Sequence, residues 1–568
     1  MTAPQTAAIA RAEQIYGDAV AVRQQRKDLR ITPPLIRLWD GNWNLRGISR
    51  AEYSADFKWL LNESGTGRLE LPADHYLAKW IMDASSRSTQ NVHVTVDKDG
   101  ARWSGRMKFA TLKKTEAGLN TVVVQFMHDY EEVKWIQVWS NPFLPAAFQF
   151  PRVFMLAGPS RWCLKLALFL NILRKETNLW TFPDAAQWAL PDDPLDPAQW
   201  FNLDQSRWSM VVAPNDFLSD TSVWTVLSSR WKTWHDMAEH TLEDAQLMVT
   251  TRRYLAGDPP PWPGARLRHG CLVFDIVDKS GFYTGTSEGG SVLTGLEHTV
   301  QKIINEGREQ LPDPLQDPAY PEEYKRPDWI GTLPSSPWVV YREGEYTGIE
   351  TSEFTIRPAT AVQINCGGRS PYGVNEAISQ VIQMVGNLTS TISIGTPIAQ
   401  ISLPPMGGVI DTILKPLYTD TVLAWMSFKS PLRAPAMGWS HYFEFFQQGA
   451  DRAYTLSSLI AVRMGLWATR GYHGHKLTVA DGSPYLIGEN GQGHFFLGDR
   501  IGATVKGLPR GQIYVDQVTS LELSWKRGVT PAWKVTIGND AALEDPVAKA
   551  MKYVQRIMSD LRDLGVMS

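Results

Sequence analysis

The chain has 568 residues, 43% of them hydrophobic and 20% charged, enough for roughly three to five domains with real cores. Its 56 Lys and Arg against 59 Asp and Glu leave a net charge of -3, which excludes the global basic excess of a protein built to hold nucleic acid or anionic lipid. Three cysteines, Cys163, Cys271 and Cys366, are odd in number and widely spaced, so they support neither a disulfide framework nor a Cys-x-x-Cys metal site, and reduced, buried thiols are expected.

Residues Met1 to Leu29 carry charges at regular intervals and lack the apolar block of a signal peptide, so synthesis and folding in a cytoplasm are expected. Ile9, Ile15, Tyr16, Ala19 and Val22 mark one helical face, and Thr32-Pro33-Pro34 ends the helix because proline supplies no donor. Residues 1–34 therefore read as a docked terminal helix, with Arg23, Arg26, Lys27 and Arg30 suited to its negative end. Residues 35–141 read as a first small β-barrel. Val92, Val94 and Val96 alternate with polar residues, Asp99-Gly100 turns, and Trp103, Met107 and Phe109 return. A second hairpin turns at Glu116 to Asn120 and continues through Val122, Val124 and Phe126, with Val133, Trp135 and Trp139 extending the strand pattern.

Residues 142–256 change to a helical, Trp-rich insert: eight of the 23 tryptophans lie between Trp162 and Trp234. Buried helices are expected at Arg161 to Lys175, where Leu164, Leu168 and Ile172 recur every four residues, and at Ser228 to Leu255. Pro191 to Pro197 and Pro259 to Pro263 read as connectors and domain boundaries. A mixed domain comes next at 257–376, with a proline-laden excursion from Pro312 to Pro337. In 377–460, Ala377 to Ile410 is a run of 34 residues without Asp, Glu, Lys, Arg or His. Strand patterns return at 461–540 as a second small barrel, in Lys476 to Val479, Ile501 to Lys506, Ile513 to Val518, Leu521 to Trp525 and Trp533 to Ile537. Residues 541–568 read as a helix opened by Asp545-Pro546. The expected fold is mixed, β-rich and multidomain, with two small barrels, a helical insert and terminal helices.

The chemistry of common enzymes is not legible. No phosphate-cradling loop or His-Glu-x-x-His zinc motif occurs, and no cofactor or metal is called for. His473-Gly-His475 with Asp481 nearby has no third ligand at a known spacing and reads as a turn or interface pair. Glycoside hydrolysis needs only two carboxylates, and the surplus Trp suits sugars, but Glu131 and Glu132 beside Trp135 read as solvent-facing strand positions. The uncharged run reads first as packing at a subunit interface or closed pore. Its alternative is a stored loop offering Ile392, Ile394, Ile398, Ile401, Leu403, Met406, Val409 and Ile410 to a bilayer.

Three stretches resemble the tail-tip hub proteins, or minor tail proteins, of long-tailed phages infecting mycobacteria and related actinobacteria. They are Asp56-Phe57-Lys58-Trp59 with Gly65-Thr-Gly-Arg-Leu-Glu-Leu-Pro72; Val92 to Phe126 with Trp135 to Pro142; and Leu497-Gly-Asp-Arg-Ile501 with Gln512 to Ser524 and Val535-Thr-Ile-Gly538. The uncharged run and the Pro312 to Pro337 excursion match no part of that pattern. The resemblance implies a homotrimer whose six barrels meet the hexameric rings of the tail tube. It also implies contacts with the distal tail ring, the tape-measure protein, other minor tail proteins and the host envelope, and a channel shut until genomic DNA passes. A non-enzymatic structural role in the virion is the corollary, with a tail-associated cell-wall hydrolase or a carbohydrate-binding adhesin as alternatives.

Overall fold

A computed structural model describes residues 3–114, 118, 120–177, 202–281, 324, 326, 329–344, 348–370, 379–380, 423–447, 456–508 and 513–538. The uncharged run falls outside them except at 379–380, as do Pro191 to Pro197, most of the Pro312 to Pro337 excursion and the expected C-terminal helix.

The chain opens with helix α1 (Ala3–Ile31). Contrary to the docked helix expected, every side chain from 11 to 25 is exposed, and only the C-terminal end is held. There the buried Lys98 Nζ donates to the carbonyl oxygens of Leu29 (3.1 Å) and Thr32 (3.1 Å), satisfying groups the helix leaves open, and Arg30 reaches the carbonyl of Tyr485 (2.9 Å). The apolar stripe alternates large residues with alanine and, among the described residues, finds no apolar surface of the body beneath it.

The first β-rich region comprises β1 (Leu35–Asp40), β2 (Leu45–Ser49), β3 (Ser54–Leu60), β4 (Thr66–Pro72), a short α2 (Tyr76–Met82), β5 (Val92–Lys98), β6 (Ala101–Lys114) and β7 (Asn120–His128). The Asp99-Gly100 hairpin forms as read, with both turn residues at positive φ (50° and 77°), the geometry of a two-residue turn that matches strand twist. Strand character stops earlier than expected. Asp129–Lys134 is a 3-10 helix whose first turn is capped by the His128 ring, so Val133 points into a core while Trp135 stays 77% exposed.

Where a predominantly helical insert was expected, the chain builds a mixed α/β unit. Its elements are β8 (Phe154–Pro159), α3 (Ser160–Glu176), β9 (Met210–Val212), β10 (Trp224–Ser229), α4 (Trp234–Asp244), β11 (Leu247–Arg253) and β12 (Leu272–Asp278). The α3 reading holds, with Leu164, Leu168 and Ile172 in the core. The long helix expected from Ser228 to Leu255 is instead a strand end, a helix capped by Thr233, and a strand, because Gln246 takes positive φ (53°) and Leu247, Met248 and Val249 favour extended backbone. Pro259 to Pro263 does not separate two units: it lies in the connection between β11 and β12, which pair antiparallel through Leu247↔Asp278 to Arg253↔Leu272.

The rest contains β13 (Val340–Tyr341), β14 (Ile349–Arg357), β15 (Ala361–Gly367), β16 (Trp425–Lys429), α5 (Arg433–Met437), β17 (Tyr442–Phe446), α6 (Leu456–Ala468), β18 (Tyr472–Ala480), β19 (Arg500–Ala503), β20 (Tyr514–Lys526) and β21 (Ala532–Ile537). Two expected strands, Ile513 to Val518 and Leu521 to Trp525, are one strand whose pairing with β21 shifts between Val518 and Ser520. β15 is the centre of a small sheet, flanked by β16 and β17, with α6 over it.

The two β-rich regions are not separate in space. Among the described residues thirteen strands belong to one hydrogen-bonded sheet, in the order β14-β18-β21-β20-β3-β4-β7-β6-β5-β1-β2, with β19 also on β20 and β13 on β19. The join is β20 against β3, from Ser520↔Leu60 to Lys526↔Ser54. Phe57, Trp59, Leu69 and Trp103 from the first region share one core with Leu477, Leu521, Leu523, Val535 and Ile537 from the second.

Candidate functional site

Two junctions between the parts stand out, and each is built from groups that sequence distance conceals. The first is the β3–β20 seam. Ala55, Phe57 and Trp59 alternate inward, leaving Asp56 and Lys58 on the other face. Register places Asp56 opposite Ser524 and Lys58 opposite Glu522, so Asp56 and Glu522 are diagonal neighbours on one face and share a hydrogen bond. Burial, followed by the neighbouring Glu522, pushes the Asp56 carboxyl up to about 7. Behind the seam, Trp103 Nε1 donates to the Lys58 carbonyl oxygen (3.0 Å). Gly67 lies where a Cβ would sit 2.7 Å from the Trp103 ring and 2.8 Å from Phe57, and a Cβ on Gly65 would meet the Lys58 carbonyl oxygen at 1.7 Å. Of the Gly-Thr-Gly motif singled out in the sequence, Gly67 thus leaves the space for Trp103 and Gly65 the space for the β3 backbone.

The second junction locks the α/β unit onto β1, β5 and β6. Arg253, on the last residue of β11, grips Asp129 with both arms (2.8 and 3.0 Å), donates to the Gly270 carbonyl (3.0 Å) and lies over the Trp43 ring at 4.7 Å. Ser104 Oγ donates to the same carboxylate at 2.5 Å. Burial opposes the charge on Asp129, but Arg253 and Ser104 outweigh it and hold the carboxyl at about 2. Trp43, at positive φ (62°), stacks on His93 with centroids 4.7 Å apart, and Gly270 lies so close that a Cβ would meet the Trp43 ring at 2.2 Å. Burial and the Arg253 charge drive His93 down to about 3, and burial drives His128 to about 4, so both are neutral inside the fold. Beside this group Arg102 bridges Asp97 (2.5 Å) and Asp258. No local sequence signal marks these partners, since Asp129 and Arg253 are 124 positions apart.

In the second junction Asp97, Arg102, Asp129, Arg253 and Asp258 are each committed to a partner. Glu131 and Glu132 lie on the 3-10 helix and not on a strand, Glu131 accepting from Ser64 Oγ (2.5 Å) and Glu132 paired with Arg106. A cleft of about 380 Å³ between β11, β12 and Pro259 to Pro261 is lined by Arg252, Asp258, Asp275 and Asn490, with Asp258 held by Arg102. His475 lies on β18 with its Nε2 2.9 Å from Ser352 Oγ, and no metal-binding group of three ligands occurs among the described residues. Cys163, Cys271 and Cys366 are buried free thiols, which burial pushes up to about 12, 12 and 11. Among the described residues no helix is long and apolar enough to cross a membrane. The eight apolar candidates from Ile392 to Ile410 lie outside the described residues.

Aromatic side chains do reach the surface in groups. Phe143, Phe148 and Phe150 are exposed on the loop before β8, and Trp425, Trp439 (91% exposed), Tyr442, Phe443 and Phe446 surround the β16–β15–β17 sheet. Exposed aromatic groups of this kind mark surfaces that meet other proteins.

Buried ion pairs thus join parts of the body, and aromatic groups lie exposed on its surface. Residues 35–539 match the family described as Siphovirus ReqiPepy6 Gp37-like protein, and the chain belongs to that family of siphophage minor tail proteins, components of the virion tail. It is 35% identical over 597 residues to minor tail protein Gp28 of Mycobacterium phage L5, covering 98% of each chain. Against minor tail protein Gp28 of Mycobacterium phage D29 it is 35% identical over 600 residues, covering 98% of this chain and 99% of the other. Solved structures with a remote likeness include a tail protein from Neisseria meningitidis MC58 (9% identity, TM-score 0.38, 90% of this chain and 98% of that one). Another is prophage tail protein gp18 from Listeria monocytogenes EGD-e (11% identity, TM-score 0.37, 92% and 99%).

Proposed function

We propose that this minor tail protein is the hub of the tail tip: a homotrimer that caps the hexameric tail tube, holds the DNA channel closed and opens it during infection. The observation that carries the reading is the β3–β20 seam. It sets two β-rich regions, far apart in sequence, edge to edge within one subunit; on this reading each region meets one position of a sixfold ring, six from three subunits. The two regions take the part of the paired hub barrels. The distal tail ring and tape-measure protein are then the partners above, other minor tail proteins and the host envelope those below, and genomic DNA is met only in transit. The exposed aromatic groups supply surface for such contacts. Ile392, Ile394, Ile398, Ile401, Leu403, Met406, Val409 and Ile410 are proposed to close the channel or meet the bilayer; a peptide of residues 385–413 that leaves liposomes intact would count against the membrane role.

The test is imaging of tail tips from particles labelled on this protein, together with mass photometry of the purified chain. Threefold density just below the last tube ring and a three-chain mass are expected. A one-chain mass combined with clearing of mycobacterial cell walls would replace the reading by a hydrolase.

A further inference from the structure

Helix α1 is anchored at one end and bare along most of its length, yet its sequence is not that of a solvated rod. Ala8, Ala12, Ile15, Ala19, Val22, Arg26 and Leu29 succeed one another at alternating steps of four and three, the repeat that keeps one seam facing a neighbouring helix. Ile15 (61%), Val22 (45%) and Leu29 (38%) are exposed on that seam, with Tyr16 (70%) on its flank. A lone helix gains little from water, and most helical stability in proteins comes from packing an apolar face against something.

We infer that α1 packs against the α1 helices of other copies of this chain, as a short parallel bundle on the symmetry axis of the assembly. Two observations select a second copy over a foreign partner. Ile15 and Val22 occupy one core position of the heptad and Ala12 and Ala19 the other. In a parallel pairing Asp18, on one flank, then faces Arg23, on the opposite flank of the neighbouring helix one heptad on: the charges complement each other when the sequence meets itself. The anchor also fixes direction. Lys98 and Arg30 tie the C-terminal end to the body, so copies related by a rotation axis that runs along α1 point every α1 the same way. Arg26 interrupts the apolar repeat, whose unbroken part covers residues 8–22. Two heptads are too short to hold subunits together alone, so α1 sets register for contacts made elsewhere. The number of helices, three, rests on the hub reading; the self-pairing does not.

Cysteine cross-linking of the full chain tests this, because the three native thiols are buried and contribute little background. Ile15→Cys and Val22→Cys are each oxidised and run on non-reducing gels beside Gln24→Cys, which lies on the outer face of the same helix. Efficient linking of the first two, with Gln24→Cys near background, is the expected result. Equal linking at all three positions means random collision and overturns the inference. Mass photometry of the wild type separates the two proposals. A three-chain mass without Ile15→Cys or Val22→Cys linking overturns the helix pairing and spares the hub. A two-chain mass with linking keeps the pairing and removes the threefold hub. A one-chain mass without linking sinks both.

Discussion

At the scale of single residues, the most constrained positions are small ones. Gly67 lies between the rings of Phe57 and Trp103, so Gly67→Ala forces aromatic side chains out of their wells; a loss of about 1–3 kcal/mol is expected in denaturant unfolding. Gly65-Thr-Gly67 was visible in the sequence as a motif, but its reason was not, because Trp103 arrives from another strand. Titration gives a second residue-scale expectation. His93 and His128 are held far below the ordinary value of 6.5, so the unfolded chain takes up protons that the fold refuses. Their contribution is therefore complete above pH 6.5 and is lost as pH falls toward 4 and 3. Melting temperature should fall across that window. His128→Asn, which keeps an acceptor for the Tyr130 amide that His128 now caps, should flatten the slope.

Between elements, the two junctions respond in opposite ways. Asp129→Ala leaves the Arg253 charge buried without its carboxylate, and a cost of about 3–5 kcal/mol is expected from equilibrium unfolding, with loosening of the α/β unit read by hydrogen exchange at β11. The seam behaves differently because Asp56 is raised and not lowered. A raised carboxyl stabilises the fold below its unfolded value of 3.8, and that contribution is lost as pH rises through about 7. Asp56→Asn should remove this loss, so that stability measured from pH 4 to 8 no longer declines on the alkaline side. On one side of the seam alternation marked β20, though as two strands; on the other, Asp56 to Trp59 of β3 entered only through the resemblance. The sequence could not supply their pairing, which joins residues more than 450 positions apart.

For the whole molecule, the shared core makes the two β-rich regions interdependent. A fragment ending at residue 281 exposes the β3 edge and half of the core, and edge strands with unpaired backbone groups recruit other chains. Such a fragment should be recovered mainly as aggregate, and co-expression with residues 324–568 should return it to the soluble fraction; a soluble, monomeric fragment with a sharp melting transition would contradict the single shared core. The small sheet around β15 and the Phe143 to Phe150 loop carry their aromatics outward. In a tail component these are the surfaces on which assembly is expected to act.

Local pattern by itself determined much of this protein: the alternation of Val92 to Phe126, the Asp99-Gly100 turn, the α3 helix and the strands from β18 to β21 are short-range consequences of side-chain period and turn chemistry. The order of the short motifs along the chain also carried the resemblance to minor tail proteins. Tertiary structure alone decided that two β-rich regions share one sheet, that Ser228 to Leu255 breaks into strand, helix and strand, and that α1 stands away from the body. Each depends on which distant surface a segment meets, and the free energy of burying a face is set by that partner, which no window of neighbouring residues contains.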